Sequence, residues 1–337
     1  MKTLVIGGTG LLGSEIARQL IEKGHEVTGL ALPPVPTGAP IPQEMKLEFA
    51  NYIEMSDDEM ANVLKGMDGV VFAAGVDERI PGPSPIYDFF KKYNIDAMER
   101  VLRISKEVGV KHAVVLGSYF TAMDRKFPEF ELTKWHPYIR SRVDQLNLAI
   151  SMADENFDVS VVELPYIFGS QPGRKPVWTL LVDSVNATPD ATYYTGGGTT
   201  MVTVRQVGQA CVGALEKNKG GNYYPLGYFN LTFTEMMAIV HEAMGLKGRP
   251  VVTITPEQYL ASVEPAQKEL EAQGLDQGLH MVKFVDLQFS NMFIEKEEAA
   301  DFLGVTDDDI ESAITDSIKA SLAALEHADD VLDMKVE

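Results

Sequence analysis

The first thirteen residues constrain this chain more than any other stretch. Leu4-Val5-Ile6 reads as a short buried strand, and it stops at glycines spaced Gly7-x-x-Gly10-x-x-Gly13. A helical pattern follows, with Ile16, Ala17, Leu20 and Ile21 on one face and Gly24 as its stop. A second strand, Glu26 to Ala31, comes next. Glycines in this spacing let the chain turn sharply, let backbone approach a pyrophosphate, and let helix pack closely on strand. The unpaired N–H groups and dipole of the new helix then face the phosphates. A plain strand–turn–helix corner can use the same residues, but the strand on either side favours a dinucleotide site.

The rest of the chain repeats the alternation. Lys46 to Ala50 reads as a strand, and Ser56-Asp-Asp-Glu59 is a capping box opening a helix to about Lys65. Met67 to Gly75 is a buried strand ending in small residues, Phe89 to Val108 a long helix, and Lys111 to Gly117 a further strand. A helix from Tyr138 to about Asn156 leads to the strand Val159 to Leu164. Such β-α-β alternation indicates an α/β fold with a parallel, doubly wound sheet covered by helices on both faces. Leu32 to Pro42 is too rich in proline for helix or central strand and forms a loop at the rim of the adenosine pocket.

Past Pro165 the pattern loosens into a smaller C-terminal substrate-binding lobe. The organisation is therefore a dinucleotide-binding domain over 1–165, rejoined by about 200–217, with 166–330 mainly the lobe. Thr192 to Val204 reads as short strands about a Gly196-Gly-Gly198 turn. Thr232-x-x-Glu235 and Thr255-Pro-x-Gln258 open two helices, and Thr306 with Asp307 to Asp309 begins the last.

Composition excludes several classes. With 49 acidic and 29 basic side chains the formal charge is −20, which repels polyanions and argues against nucleic acid as a partner. Cys211 is the only cysteine, and His241-Glu242 lacks the second histidine of a zinc-binding helix, so no metal site is expected. No apolar run approaches the roughly 20 residues of a membrane span, and no signal peptide is evident. A cytoplasmic enzyme working on a small molecule fits these facts.

The ordered motifs resemble the extended short-chain dehydrogenase/reductase superfamily, which includes sugar-nucleotide epimerases and dehydratases. The likeness runs from residue 2 to about 325. It rests on Gly7-Gly-Thr-Gly-Leu-Leu-Gly13, Val70-Val-Phe-Ala-Ala74, Asn94-Ile-Asp-Ala97, Val108-Gly-Val-Lys-His-Ala113, Tyr138-x-x-Ser-Arg142 and Glu163-Leu-Pro-Tyr-Ile-Phe-Gly169. The resemblance implies a Rossmann-type sheet holding NAD or NADP. Gly7, Gly10 and Gly13 would line the pyrophosphate, with Thr9, Leu11 and Leu12 beside them. Ala73 and Ala74 would border the coenzyme, Asn94 would support the active-site backbone, and Pro165, Tyr166 and Ile167 would flank the nicotinamide. It also implies a homodimer through the long helices carrying Asn94 and Tyr138, although their apolar positions would equally serve an internal core.

This sequence departs from the superfamily at informative places. The catalytic pair Tyr-x-x-x-Lys is here Tyr138 and Arg142, and arginine keeps the charge without an ammonium's geometry. The substrate-orienting serine maps to Ser118, with Tyr119 and Thr121 as alternatives. Ala31, Leu32 and Pro33 offer the adenosine ribose neither acid nor base, and neutral walls in a net-negative field lean toward NAD. The arginine that clamps a nucleotide sugar is missing near Thr200, Arg205 and Gln206 replace residues that are commonly acidic, and Glu163 stands where an arginine often does. Arg174 and Lys175 fit either an anion site or a solvated loop pair.

Three functions follow as expectations. The first is an NAD(P)-dependent oxidoreductase for a small carbonyl or alcohol, with Tyr138 as general acid/base. The second is a sugar-nucleotide epimerase or dehydratase that recycles its coenzyme. The third is a catalytically silent dinucleotide sensor.

Overall fold

Strands that are apolar along their whole length need cover on both faces, and the central sheet shows how this chain provides it. The computed structural model describes residues 1–328, 331 and 332. Seven strands make the sheet: β1 (Lys2–Ile6), β2 (Glu26–Ala31), β3 (Lys46–Phe49), β4 (Gly69–Phe72), β5 (His112–Ser118), β6 (Asp158–Leu164) and β7 (Gly221–Pro225). They lie in the order β3-β2-β1-β4-β5-β6-β7, every adjacent pair parallel. The order reverses between β1 and β4, and a crevice opens there at the carboxyl ends of the strands.

Period-two alternation assigns each face its own core. Val5, Val71, Val114 and Val162 point to one side, where they meet Ile16 and Leu20 of α1 (Leu11–Glu22). The same cluster takes in Val207, Ala210 and Cys211 from the helix Val204–Lys217. Leu4, Ile6, Val70 and Phe72 point to the other side, against α2 (Asp57–Leu64), α3 (Ala97–Glu107) and α4 (Pro137–Ser151) through Met60, Leu102 and Leu146. Shifting any of these strands by one residue would exchange its two faces, so the register is strongly specified.

Helix ends follow local chemistry. Complete capping boxes form at Ser56/Glu59, Thr232/Glu235 and Thr255/Gln258, and one at Thr203/Gln206 opens α5 (Val204–Lys217). The last long helix, α6 (Ile310–Glu326), takes its cap from Asp309, whose carboxylate accepts from the Ser312 N–H at 2.9 Å. Thr306 lies upstream of that cap and bonds Gln209 instead.

Two regions differ from the pattern read above. The expected long helix at 89–108 is interrupted: Tyr87–Phe90 and α3 are α-helical, but Lys91–Asp96 between them is a π-helix, the form that inserts one residue into a turn. The strands around Gly196 do not pair with each other. Thr192–Tyr194 runs parallel to Val251–Thr253, while Gly198–Thr203 joins Tyr166–Phe168, Phe229–Thr232 and Asn291–Met292 in a second sheet. That sheet and the helices Thr179–Asn186, Phe233–Ala243 and α6 enclose the third core, rich in Phe, Met and Tyr.

Candidate active site and dinucleotide cleft

The turn after β1 is built without side chains. Gly7 adopts φ +85°, and a Cβ on Gly13 would lie 2.1 Å from the Gly7 carbonyl oxygen, so helix and turn touch backbone to backbone. Gly10 caps α1 with no side-chain acceptor, and the first turn holds no acidic residue. The N–H groups and positive dipole end of α1 are therefore free to meet an anion.

A cleft of about 230 Å³ opens in front of this turn. Gly7, Thr9 and Gly10 form one wall, and Ala73, Ala74 and Gly75 beyond β4 form another. Leu32 to Pro34 and Asn51 to Ile53 close the side next to β2 and β3. Leu11, Leu12 and Gly13 start the helix behind the wall. Pro165 is buried at the end of β6, leading into Tyr166–Phe168.

Asn94 sits fully buried in the π-helical turn. Its Oδ1 accepts from the Val76 N–H at 2.8 Å and its Nδ2 donates to the Val76 carbonyl at 3.0 Å. Gln145 of α4 donates to the Asn94 carbonyl at 2.5 Å. This amide thus stands in for a strand partner where β4 has ended, and it ties the cleft wall to α4.

Tyr138 and Arg142 stand one turn apart on α4, both more than nine-tenths buried. The Arg142 Cζ lies 5.6 Å from the Tyr138 ring centroid. One guanidinium nitrogen donates to the Leu116 carbonyl at 2.9 Å, and the buried Nε has no partner among the described residues. Burial pushes the Tyr138 phenol up to about 12. Arg142 and a hydrogen bond with Ser118 pull against that rise, while the Glu78 and Asp77 carboxylates reinforce it.

Of the three hydroxyls at the end of β5, Ser118 reaches Tyr138. Thr121 bonds the Ser118 carbonyl at 2.5 Å and the Glu163 carboxylate. Tyr119 turns into the lobe, where its hydroxyl receives a hydrogen bond from Thr199 at 3.2 Å.

Glu78 carried no signal in the sequence, since nothing about its spacing sets it apart from a loop carboxylate. A backbone relay places it: its carbonyl accepts from the Gly278 N–H at 3.2 Å, and the Gly278 carbonyl accepts from the Tyr138 N–H at 3.0 Å. Beyond the phenol the wall is aromatic. Tyr166 lies 6.3 Å from Tyr119 and 5.4 Å from Trp178 between ring centroids, and Phe90 and Phe120 meet the Tyr138 ring edge-on. Glu163 is fully buried and is neutralised by Arg125 at 2.6 Å.

A strand-ordered Rossmann sheet with a bare glycine turn at its switch point is the fold of the extended short-chain dehydrogenase/reductase type. Residues 3–227 match the NAD dependent epimerase/dehydratase family, and the chain belongs to that family. Its fold is similar to that of gox2253, with a TM-score of 0.74, 21% identity, and coverage of 98% of this chain and 99% of that one. It is also similar to a nucleoside-diphosphate-sugar epimerase from Pseudomonas aeruginosa, with TM-score 0.67, 16% identity, and coverage of 98% and 99%. A third likeness is to MoeE5 in complex with UDP-glucose and NAD, with TM-score 0.64, 16% identity, and coverage of 96% and 100%. Among curated proteins, a 3-beta-hydroxysteroid dehydrogenase from Mycolicibacterium neoaurum is 22% identical over 125 residues, 36% of this chain and a third (33%) of that enzyme's length. Among the described residues no helix is long and apolar enough to cross a membrane, and no group of three or more His, Cys, Asp or Glu could hold a metal ion.

Proposed function

We propose that this protein is an NAD(P)-dependent oxidoreductase that interconverts a small, largely apolar carbonyl compound and its alcohol. The observation that carries the reading is the Ser118–Tyr138–Arg142 cluster facing an aromatic wall, with Arg205 and Arg249 of the lobe engaged elsewhere. Arg205 is held by Asp308 at 3.0 Å and by the Asp307 carbonyl, and Arg249 closes on the carbonyls of Val185, Pro189 and Ala191. Neither is available to clamp the diphosphate of a nucleotide sugar, whereas Tyr166, Tyr119 and Trp178 offer apolar surface.

The cleft suits a nicotinamide coenzyme on structural grounds. The α1 N-terminus is uncapped, a Cβ on Gly7 would fall 2.5 Å from the Ala73 carbonyl oxygen, and Arg142 keeps an orphaned buried Nε. Gly7, Thr9 and Gly10 would hold the phosphates, Ala73 and Ala74 the flat rings, and Arg142 a ribose hydroxyl. Such a coenzyme supplies the hydride when bound.

The chain's own groups handle the proton. With its acidity shifted to about 12, Tyr138 is protonated at neutral pH and serves as the acid toward a substrate oxygen. Ser118 donates a second hydrogen bond to that oxygen. Arg142 stabilises the phenolate left behind, and Gln145 with Asn94 fixes the wall against which the substrate turns.

Tyr138→Phe is expected to abolish NAD(P)H-dependent turnover of a carbonyl panel, followed at the coenzyme absorbance. Coenzyme affinity by calorimetry should stay within about five-fold, because one lost hydroxyl hydrogen bond contributes only about 1 kcal/mol. Unaltered turnover removes Tyr138 from the mechanism. A second reading, an epimerase with recycled coenzyme, is favoured by the family match and predicts coenzyme that copurifies and binding of UDP-glucose. The implied homodimer would pair α3 and α4 with their copies, which sedimentation velocity tests.

A further inference from the structure

The ten arginines of the chain sort by partner, and the sorting isolates one that the reaction does not use. Seven meet carboxylates: Arg18, Arg79, Arg100, Arg103, Arg125, Arg140 and Arg205. Arg249 donates its terminal N–H groups to main-chain carbonyls. Two remain, and one of them borders the dinucleotide cleft. Arg142 stands beside Tyr138, and Arg174 lines the wall shared with Thr9, Leu32, Pro33 and Pro34. Among the described residues Arg174 is the one charged side chain lining that cleft.

Its position is built, not incidental. Arg174 arrives on a loop that leaves the lobe and docks on the glycine turn. The Gln171 amide donates to the Thr9 carbonyl at 3.2 Å and to the Ser14 hydroxyl at 3.1 Å, while the Gln171 oxygen accepts from Arg174 Nε at 3.2 Å. Gly173, at φ +74°, seats the loop on the segment that follows β2, so closely that a Cβ would fall 2.4 Å from the Thr37 nitrogen and oxygen. Leu332 locks the same loop from outside, its N–H donating to the Gly173 carbonyl at 2.8 Å and its carbonyl accepting from the Lys175 N–H at 2.9 Å. The guanidinium is half-buried and, among the described residues, has no carboxylate partner and no acceptor for its terminal N–H groups. Desolvation with no compensating acid lowers its pKa from the ordinary arginine value.

We propose that Arg174 reads a phosphate of the coenzyme, specifically the 2′-phosphate of NADP(H), and so sets the coenzyme preference of the site. This rests on the oxidoreductase reading above. Two facts direct the guanidinium to the 2′-phosphate rather than the diphosphate. The diphosphate is already served by the bare amides of α1. The end of β2, where an acid would hold the ribose hydroxyls of NAD, carries only Ala31, Leu32 and Pro33, and the Arg174 loop is seated on the segment just beyond them. A planar, permanently charged fork suits a phosphate group there. The assignment reverses the lean to NAD given by the neutral residues after β2, because the cation comes from a loop some 140 residues downstream.

Calorimetric titration of the full chain with NADPH and with NADH, on wild type, Arg174→Gln and Arg174→Lys, tests it. Wild type should bind NADPH more tightly than NADH. Arg174→Gln should raise the NADPH Kd by about 10- to 100-fold and leave the NADH Kd within about two-fold, with Arg174→Lys between; a charge-assisted hydrogen bond accounts for that range. Retained NADH binding shows that the variant is folded. Equal losses for both coenzymes assign the guanidinium to the shared diphosphate and overturn the proposal, and so does NADPH binding that ignores the substitution. If wild type bound neither coenzyme, the oxidoreductase reading itself would fall; if NADH bound normally while Arg174 proved inert, only this inference would.

Discussion

His136 offers a quantitative test of how α4 is held. It caps α4, two residues before Tyr138, and is fully buried with its ring edge-on to Phe284 at 5.6 Å. Its Nδ1 accepts from the His280 N–H at 3.1 Å, and its buried Nε2 has no partner among the described residues. Burial, with a smaller push from the nearby His280 ring, lowers its pKa from 6.5 to about 4. His280 itself has Glu271 at 3.7 Å, so the nearest carboxylate is not aimed at His136. The sign follows from proton counting. Between pH 6.5 and about 4 the unfolded chain binds a proton that the folded chain refuses, so stability falls as pH falls through that window. A gap from 6.5 to about 4, at about 1.4 kcal/mol per unit, amounts to roughly 3 kcal/mol lost below the folded value. His136→Asn keeps an acceptor near the Nδ1 position and a good cap but cannot titrate. Urea unfolding of both proteins at pH 7 and 4.5 isolates the effect, because the carboxylates common to both cancel in the double difference. Wild type should lose roughly 2–3 kcal/mol more than the variant on acidification. Parallel losses, or an imidazole NMR signal for His136 that titrates near 6.5, would refute the reasoning.

Two further perturbations address charge within the fold. Arg142→Met removes the group that favours the Tyr138 phenolate, so kcat should fall by about 10²-fold and the alkaline limb of the pH–rate profile should move upward, while Arg142→Lys, whose ammonium burial drives toward the neutral form, should move the limb part of the same way; an unmoved limb in the methionine variant excludes electrostatic coupling. Arg125→Ala leaves the fully buried Glu163 without its cation, and because Arg125 is itself partly exposed the cost should sit near the low end for broken buried pairs, about 3 kcal/mol in denaturant melts, with most of it recovered in Arg125→Met/Glu163→Leu.

The sheet was legible because its rules are local. An apolar run such as Val159 to Leu164 has few stable places in a protein of this size, and the capping boxes at Ser56, Thr232 and Thr255 are written within four residues. β7 is the counterexample. Gly221-Asn-Tyr-Tyr-Pro225 is an edge strand with an exposed start and a closing proline, so only its pairing with β6 marks it as a strand. The π-helical turn at Asn94 was illegible for a similar reason. One inserted residue leaves the apolar periodicity of 89–108 almost intact, and what requires it is the Val76 backbone eighteen residues earlier. Glu78 and Gln171 find their places only through contacts between segments far apart in the chain, which no spacing rule reaches.

The same distinction bears on why an arginine can stand where the superfamily has lysine. At position 142 the side chain is buried under β5, and its guanidinium donates to a strand carbonyl, at Leu116. A lysine there would face desolvation that favours its neutral form, and with it loss of the charge that offsets Glu78 and Asp77 around the Tyr138 phenol. Arginine resists that neutralisation, since its acidity lies far from any working pH. It therefore tolerates a drier site, as the aromatic wall and the orphaned Nε both describe. On the proposed oxidoreductase reading, the substitution and the apolar lobe belong to one adaptation: fewer polar groups facing a substrate, and a fixed cation that would keep the tyrosine within reach of proton transfer.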